Sequence, residues 1–170
     1  MGKRNAPLSE PDPEYPEDLS VAIVRARFNR DITAALRDGA VERLRSAGIP
    51  EDQIHTFDVP GSFELPQAAQ RLDDQMPAPD GLIALGAVIQ GETPHFDYIC
   101  QAATDGLQEV ALQKPYPVIF GVLTCDTREQ AEVRAGLTED DRHKGIASAR
   151  ALLEMLQHHR NVQQVASGTE

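Results

Sequence analysis

A histidine one residue past a Thr-Pro pair marks the part of this chain best placed to move protons. Thr93-Pro94-His95 follows the apolar run Gly81–Ile89 and the turn residues Gln90-Gly91-Glu92. The run reads as a buried strand. Thr93 as N-cap with Pro94 at the first helical position is a favoured helix start. Open α/β sheets bind ligands at such places, where helix N–H groups point at an anion and the strand's carboxyl end opens a crevice. His95 in that first turn is positioned for proton transfer. Backbone amides around Gly91–Thr93 can cradle a phosphate, provided that Glu92 turns its carboxylate to water or toward a cation. The plainer alternative for His95 is a surface or capping histidine.

Three further segments carry chemistry. Arg27-Phe28-Asn29 lies just past the end of the first strand, where Phe28 is either local packing or an aromatic plate for a flat heterocycle. Val59-Pro60-Gly61-Ser62-Phe63-Glu64-Leu65-Pro66 is stiffened by two prolines. Its N–H groups at 62–64, the Ser62 hydroxyl and the Glu64 carboxylate offer donors and an acceptor to a polyol or an amide, or else form an ordinary capped helix start. Arg134 and, past a loop, His143-Lys144 are basic residues late in an acidic chain. Arg134 presents a planar fork suited to phosphate, against the alternative of solvated charge at a helix end. His158-His159 reads as surface. No metal-ligand cluster, Walker loop, dinucleotide fingerprint or nucleophile elbow is present, so catalysis here runs on side chains and positioning, with neither cofactor nor metal.

The elements that must hold these segments follow from pattern. Leu19–Val24 is a β-branched strand, Asp31 can cap a helix to Ala47, and Ile54–Val59 is a second strand. A short helix starts within 62–66 and ends near Asp73, and Met76–Asp80 is a loop. The helix after Thr93 has the stripe Phe96, Ile99, Cys100, Ala103, Leu107 and Val110. Pro117–Cys125 is a fourth strand. Thr127 and Gln130 form a capping box opening a helix to Arg134. A last helix runs from about Lys144 to His158, with Ile146, Ala149, Leu153 and Leu156 inward. Repeated strand–helix units imply right-handed crossovers and a parallel sheet between two helical layers: a three-layer α/β/α sandwich on a four-stranded parallel sheet, as one domain over 18–159. Residues 1–17 read as a disordered or loosely attached arm and 160–170 as a flexible tail.

Composition sets the outer bounds. The apolar share of 41% and charged share of 25% are those of a soluble globular protein. The net charge of −11, from 16 basic and 27 acidic residues, argues against a nucleic-acid partner. Nothing in the sequence spans a membrane and the first residues lack the apolar core of a signal peptide, so the cytoplasm is the expected compartment. Cys100 and Cys125 read as buried, reduced thiols.

Taken together and in order, Arg27-Phe28-Asn29, Val59–Pro66, Gly86–Asp97 and Glu132-Val133-Arg134-Ala135-Gly136 resemble the 6,7-dimethyl-8-ribityllumazine synthase family, over about Leu19 to Leu156. The resemblance implies a flavodoxin-like fold and the penultimate step of riboflavin biosynthesis. In that step 5-amino-6-(D-ribitylamino)uracil condenses with 3,4-dihydroxy-2-butanone 4-phosphate, without cofactor or metal, to give the lumazine, phosphate and water. It implies that Phe28 stacks on the pyrimidine, that Ser62, Phe63 and Glu64 hold the ribityl chain, and that Ala87, Val88 and Ile89 line the pyrimidine slot. Glu92 and Thr93 would bind the butanone phosphate and His95 would be the general acid–base. Phe120 would close the slot, Arg134 would pair with phosphate and Lys144 would lie near the ligand, all three from a neighbouring subunit of a homo-oligomer.

Two departures stand out. Gln90 replaces an arginine common in the family, and the Leu137 to His143 connection is longer than in members that form sixty-subunit shells. The longer loop favours a free pentamer over a decamer or a shell. A riboflavin synthase is a further partner that the resemblance suggests. The rival readings are an archaeal-type riboflavin synthase and a non-catalytic flavin-binding or assembly protein of the same fold.

Overall fold

The computed structural model describes residues 14–138 and 142–168. Four strands, β1 (Val21–Ala26), β2 (Ile54–Val59), β3 (Gly81–Ile89) and β4 (Val118–Cys125), form one parallel sheet in the order β2-β1-β3-β4. The helices are α1 (Arg30–Ser46), α2 (Leu65–Gln70), α3 (His95–Gln113), α4 (Arg128–Arg134) and α5 (Lys144–Ser167).

Strand side chains alternate between faces, so each strand feeds two cores. Val21, Ile23, Ile83, Leu85 and Ala87 pack with Ile32, Leu36 and Leu44 of α1, Ala131 of α4, and Ala149, Leu152 and Leu156 of α5. From the other face, Ala22, Val24, Leu82 and Ala84 pack with Leu65 and Ala69 of α2 and Leu107 and Val110 of α3. This is the three-layer sandwich expected from the strand–helix repeats. The second core is closed at its lower edge by Asp73, which accepts hydrogen bonds from the Tyr116 hydroxyl at 2.6 Å and Lys114 Nζ at 2.8 Å. Removing that carboxylate takes the partner from the buried Tyr116 hydroxyl and leaves Lys114 Nζ, itself little exposed, with the Gln70 carbonyl at 2.7 Å. Asp73→Ala is therefore expected to lower stability by about 1–3 kcal/mol, read as a shift in denaturant midpoint with unchanged slope.

Several element boundaries differ from the sequence reading, each for a local reason. β1 begins at Val21, two residues late, and continues to Ala26. Asn29, not Asp31, stands at the cap of α1, in the left-handed region at φ 55 that asparagine tolerates. Asp31 lies in the first turn and pairs with Arg128 of α4 instead. Thr93 does not cap α3. Pro94, already near helical dihedrals, takes that place, and its carbonyl accepts from the Asp97 N–H at 3.1 Å. The Thr127 hydroxyl does accept from the Gln130 N–H, but Gln130 returns its bond to the Asp126 N–H rather than to Thr127.

α5 runs nine residues beyond His158, to Ser167, and ends at Gly168 with φ 66. No glycine or proline intervenes to stop it. Its distal part is tied down by the start of the domain: Arg160 stacks 4.9 Å from the Tyr15 ring centroid and donates to the Glu14 carbonyl. Tyr15 itself packs on the first core. Residues 14–17 are thus attached, whereas the rest of the expected arm lies outside the described residues, as do Glu139-Asp140-Asp141 of the long connection. Leu152 takes an inward place on α5, while Ile146 is half-buried.

Candidate active site at the carboxyl ends of β1, β2 and β3

β1 pairs with β2 on one side and β3 on the other, so chain connections leave its two flanks in opposite directions. A crevice must open outside the strand ends at such a switch point. A cleft of about 660 Å³ is found there, lined by residues that include Phe28, Ser62, Phe63, Glu64, Val88, Ile89, Thr93 and His95.

Each wall is held by backbone rules. The β1–β2 ladder continues past both strands: the Arg27 N–H donates to the Val59 carbonyl at 2.8 Å and the Phe28 N–H to the Pro60 carbonyl at 3.1 Å. Those two rungs set the Phe28 loop beside Pro60-Gly61. Asn29 anchors the loop from the other side, its Nδ2 donating to the Ala87 carbonyl at 2.9 Å. With its backbone fixed on both flanks, Phe28 lines the cleft as a residue 71% exposed. It belongs to neither core.

The opposite wall begins as a 3-10 turn, Ser62–Glu64, ahead of α2. Glu64 Oε2 accepts from the Gly61 N–H at 2.8 Å, and the Glu64 N–H donates back to the Gly61 carbonyl at 3.3 Å. The carboxylate read from sequence as a ligand acceptor is thus first a clamp on its own turn. Ser62 is 6% exposed, its hydroxyl seated where a side chain on Gly86 would meet it at 2.5 Å. That close approach requires a glycine in β3. Phe63 stands out at 57% exposure.

The third wall is the start of α3. Its Asp97 and Tyr98 N–H groups turn back to the Pro94 carbonyl, while Thr93 and His95 line the cleft. Phe96 and Ile99, read from sequence as the beginning of the core stripe, are only half-buried and line the cleft instead. The stripe reaches the core at Ala103, Leu107 and Val110. Pro60, Gly61 and Gly91 line the cleft from segments already singled out in the sequence, whereas two cleft residues lie outside the expected set, Phe96 and Ile99. The signal for the last two was their place in the first turns of a helix that starts beyond the sheet's edge.

Other expected residues stand elsewhere. Ala87 is buried behind the cleft and acts through its carbonyl on Asn29. Glu92 is exposed between Gly91 and Thr93 but is not among the lining residues. Phe120 lies on the edge strand β4, Arg134 ends α4 with its guanidinium on the Gln130 carbonyl at 3.0 Å, and Lys144 opens α5. None of these three lines the cleft of a single chain. Among the described residues no Lys or Arg does, and the titratable side chains lining it are Glu64 and His95. Cys100 and Cys125 are free, and burial pushes both thiols up, away from nucleophilic use near neutrality. Among the described residues no cluster suits a metal ion, and no helix is long and apolar enough to cross a membrane.

Comparison with known proteins places this geometry. Residues 18–160 match the family model described as 6,7-dimethyl-8-ribityllumazine synthase. The chain is 48% identical over 147 residues to the protein of that name from Paenarthrobacter aurescens, covering 85% of this chain and 88% of the relative. It is 44% identical over 161 residues to the one from Pseudarthrobacter chlorophenolicus, covering 93% and 97%. It is 51% identical over 119 residues to the one from Renibacterium salmoninarum, covering 70% and 72%. The matched span includes every wall of the cleft as well as Phe120, Arg134 and Lys144, and on that ground the chain belongs to the 6,7-dimethyl-8-ribityllumazine synthase family.

Proposed function

We propose that the cleft at the β1/β3 switch point condenses 5-amino-6-(D-ribitylamino)uracil with 3,4-dihydroxy-2-butanone 4-phosphate. The observation that carries this reading is the convergence of an exposed aromatic plate, a polar turn and a helix-start histidine on one cavity. The pyrimidine stacks on Phe28, with Val88 and Ile89 at its edge, and the ribityl chain runs along Ser62, Phe63 and Glu64. The phosphate sits at the start of α3, by Glu92, Thr93 and the first-turn amides.

The 5-amino group attacks the butanone carbonyl and water leaves to give an imine. Loss of the proton at the adjacent carbon expels phosphate from its neighbour with the bonding pair, and the resulting enol becomes a ketone. The ribityl-bearing nitrogen then attacks that ketone, and a second water leaves as the ring closes. His95 moves these protons, as an imidazole that both takes and gives protons near neutrality. No step requires a cofactor or metal.

Among the described residues, no Lys or Arg of the same chain lines this cleft to meet the phosphate dianion. The homo-oligomer supplies the cation: a neighbouring copy brings Phe120, Arg134 and Lys144 against the cleft. Phe57 at 39% exposure on edge strand β2 and Phe120 at 43% on edge strand β4 are apolar groups on opposite sheet edges, suited to meeting another copy head to tail. The assembly is a pentamer, working in the cytoplasm, with riboflavin synthase as the enzyme that takes up the product.

Mixing purified protein with both substrates, free of metal and cofactor, is expected to produce lumazine absorbance, with light scattering on the same sample giving a five-chain mass. Riboflavin formed from lumazine alone would instead assign the sister reaction. Phe28→Ala is expected to raise KM for the pyrimidine about 10-fold, the worth of one aromatic stack, with kcat nearly kept. An unchanged KM would remove Phe28 from the binding surface.

A further inference from the structure

His143 has no place among the cleft residues, yet it sits where three elements meet. Its imidazole is held between Gly39 of α1 and Gly136, just past α4. A methyl group added at either glycine would lie 2.3 or 2.4 Å from the ring. Its Nδ1 accepts from the Gly145 N–H at 3.2 Å, capping α5. Gly145 in turn lies so close to α1 that a side chain there would meet the Leu36 carbonyl oxygen at 2.0 Å. Arg134 lies two residues before Gly136, and Lys144 directly follows His143. Both cations assigned to the neighbour's cleft therefore hang from one joint.

We propose that His143 is a positioning residue, its ring locking the end of α4 and the start of α5 onto α1 so that Arg134 and Lys144 project together. The inference rests on the substrate roles given above to those two residues.

The joint requires a neutral ring, because a protonated Nδ1 would face the Gly145 N–H donor to donor. Burial lowers the proton affinity of His143, while Glu42 and Asp38 of α1 pull the other way. In the chain, Arg142 and Lys144 flank His143 directly, and Arg134 ends α4 two residues before Gly136. A histidine with a depressed folded value keeps its stabilising contribution above the ordinary range near 6.5. That contribution is lost as pH falls below 6.5 toward the lowered value, since the released state takes the proton first.

Steady-state kinetics on the assembled wild type, His143→Ala and His143→Asn test the joint. At about pH 7.5, His143→Ala is expected to raise KM for the butanone phosphate about 10-fold with kcat within about threefold. His143→Asn can cap Gly145 without titrating. It is expected to restore most of the KM and to lack the wild type's rise in KM toward about pH 5.5. An unchanged KM for the butanone phosphate in His143→Ala, with only kcat or melting temperature lowered, would make the histidine merely structural and overturn the proposal. A KM–pH profile shared by wild type and His143→Asn would overturn it equally. A wild type that makes no lumazine sinks the assigned reaction instead, and the joint is then judged by melting. A larger wild-type fall in Tm between those two pH values than in His143→Asn upholds the joint, and equal falls refute it.

Discussion

His95→Ala is expected to lower kcat about 10²-fold while leaving KM for the ribitylaminouracil within about threefold, since positioned proton transfer contributes about 10²–10⁴ and the amine–ketone condensation has reactivity of its own. The side chain lines the cleft beside Thr93 in the first turn of α3 and does not support the pyrimidine plate or the ribityl turn. Binding should therefore survive its loss. The other titratable group in the cleft is Glu64, one oxygen of which is held by the Gly61 N–H at 2.8 Å. The rate of lumazine absorbance under saturating substrates checks this directly. A variant turning over at the wild-type rate would take His95 out of the mechanism.

The second large effect tests which chain supplies the cation. Arg134→Ala is expected to raise KM for the butanone phosphate about 10- to 10²-fold, the worth of charge-assisted hydrogen bonds to an anion, with the pyrimidine held almost as before. Because Arg134 does not line the cleft of its own chain, the two defects should complement each other. Assemblies co-expressed from His95→Ala and Arg134→Ala chains are expected to regain roughly a quarter of wild-type sites. In a symmetric ring with random mixing, that is the fraction pairing an intact histidine with a neighbour's intact arginine. Activity no higher than that of either parent would place both groups in the same subunit. Equal weakening of both substrates by Arg134→Ala would mark the arginine as structural.

Much of the framework was legible in the residue pattern because it depends on local or two-body physics. β2 and β3 fall where β-branched and unbroken apolar runs put them, and the Thr127 cap is a short-range hydrogen bond. The boundaries that moved are those set by partners distant in sequence. Asn29 takes the cap of α1 because its side chain is drawn to the Ala87 carbonyl, 58 residues away. α5 continues to Ser167 with Arg160 lying on Tyr15, a contact across nearly the whole chain. Phe96 and Ile99 carry the same periodicity as the core residues that follow them. Periodicity cannot tell a helix face turned to the core from one turned to a cleft.

The chemistry-bearing segments, their order and the parallel α/β architecture were therefore determined by sequence alone, since strand ends and helix starts place them at one end of the sheet by connectivity. Tertiary structure decided how the side chains are used. It turned Glu64 into a clamp, Ala87 into an anchor for Asn29 and His143 into the wedge of a joint, and it separated Arg134 and Lys144 from the cleft of their own chain. Those outcomes depend on which hydrogen-bond partner lies within reach once the layers have packed, a distance in space that spacing along the chain does not encode.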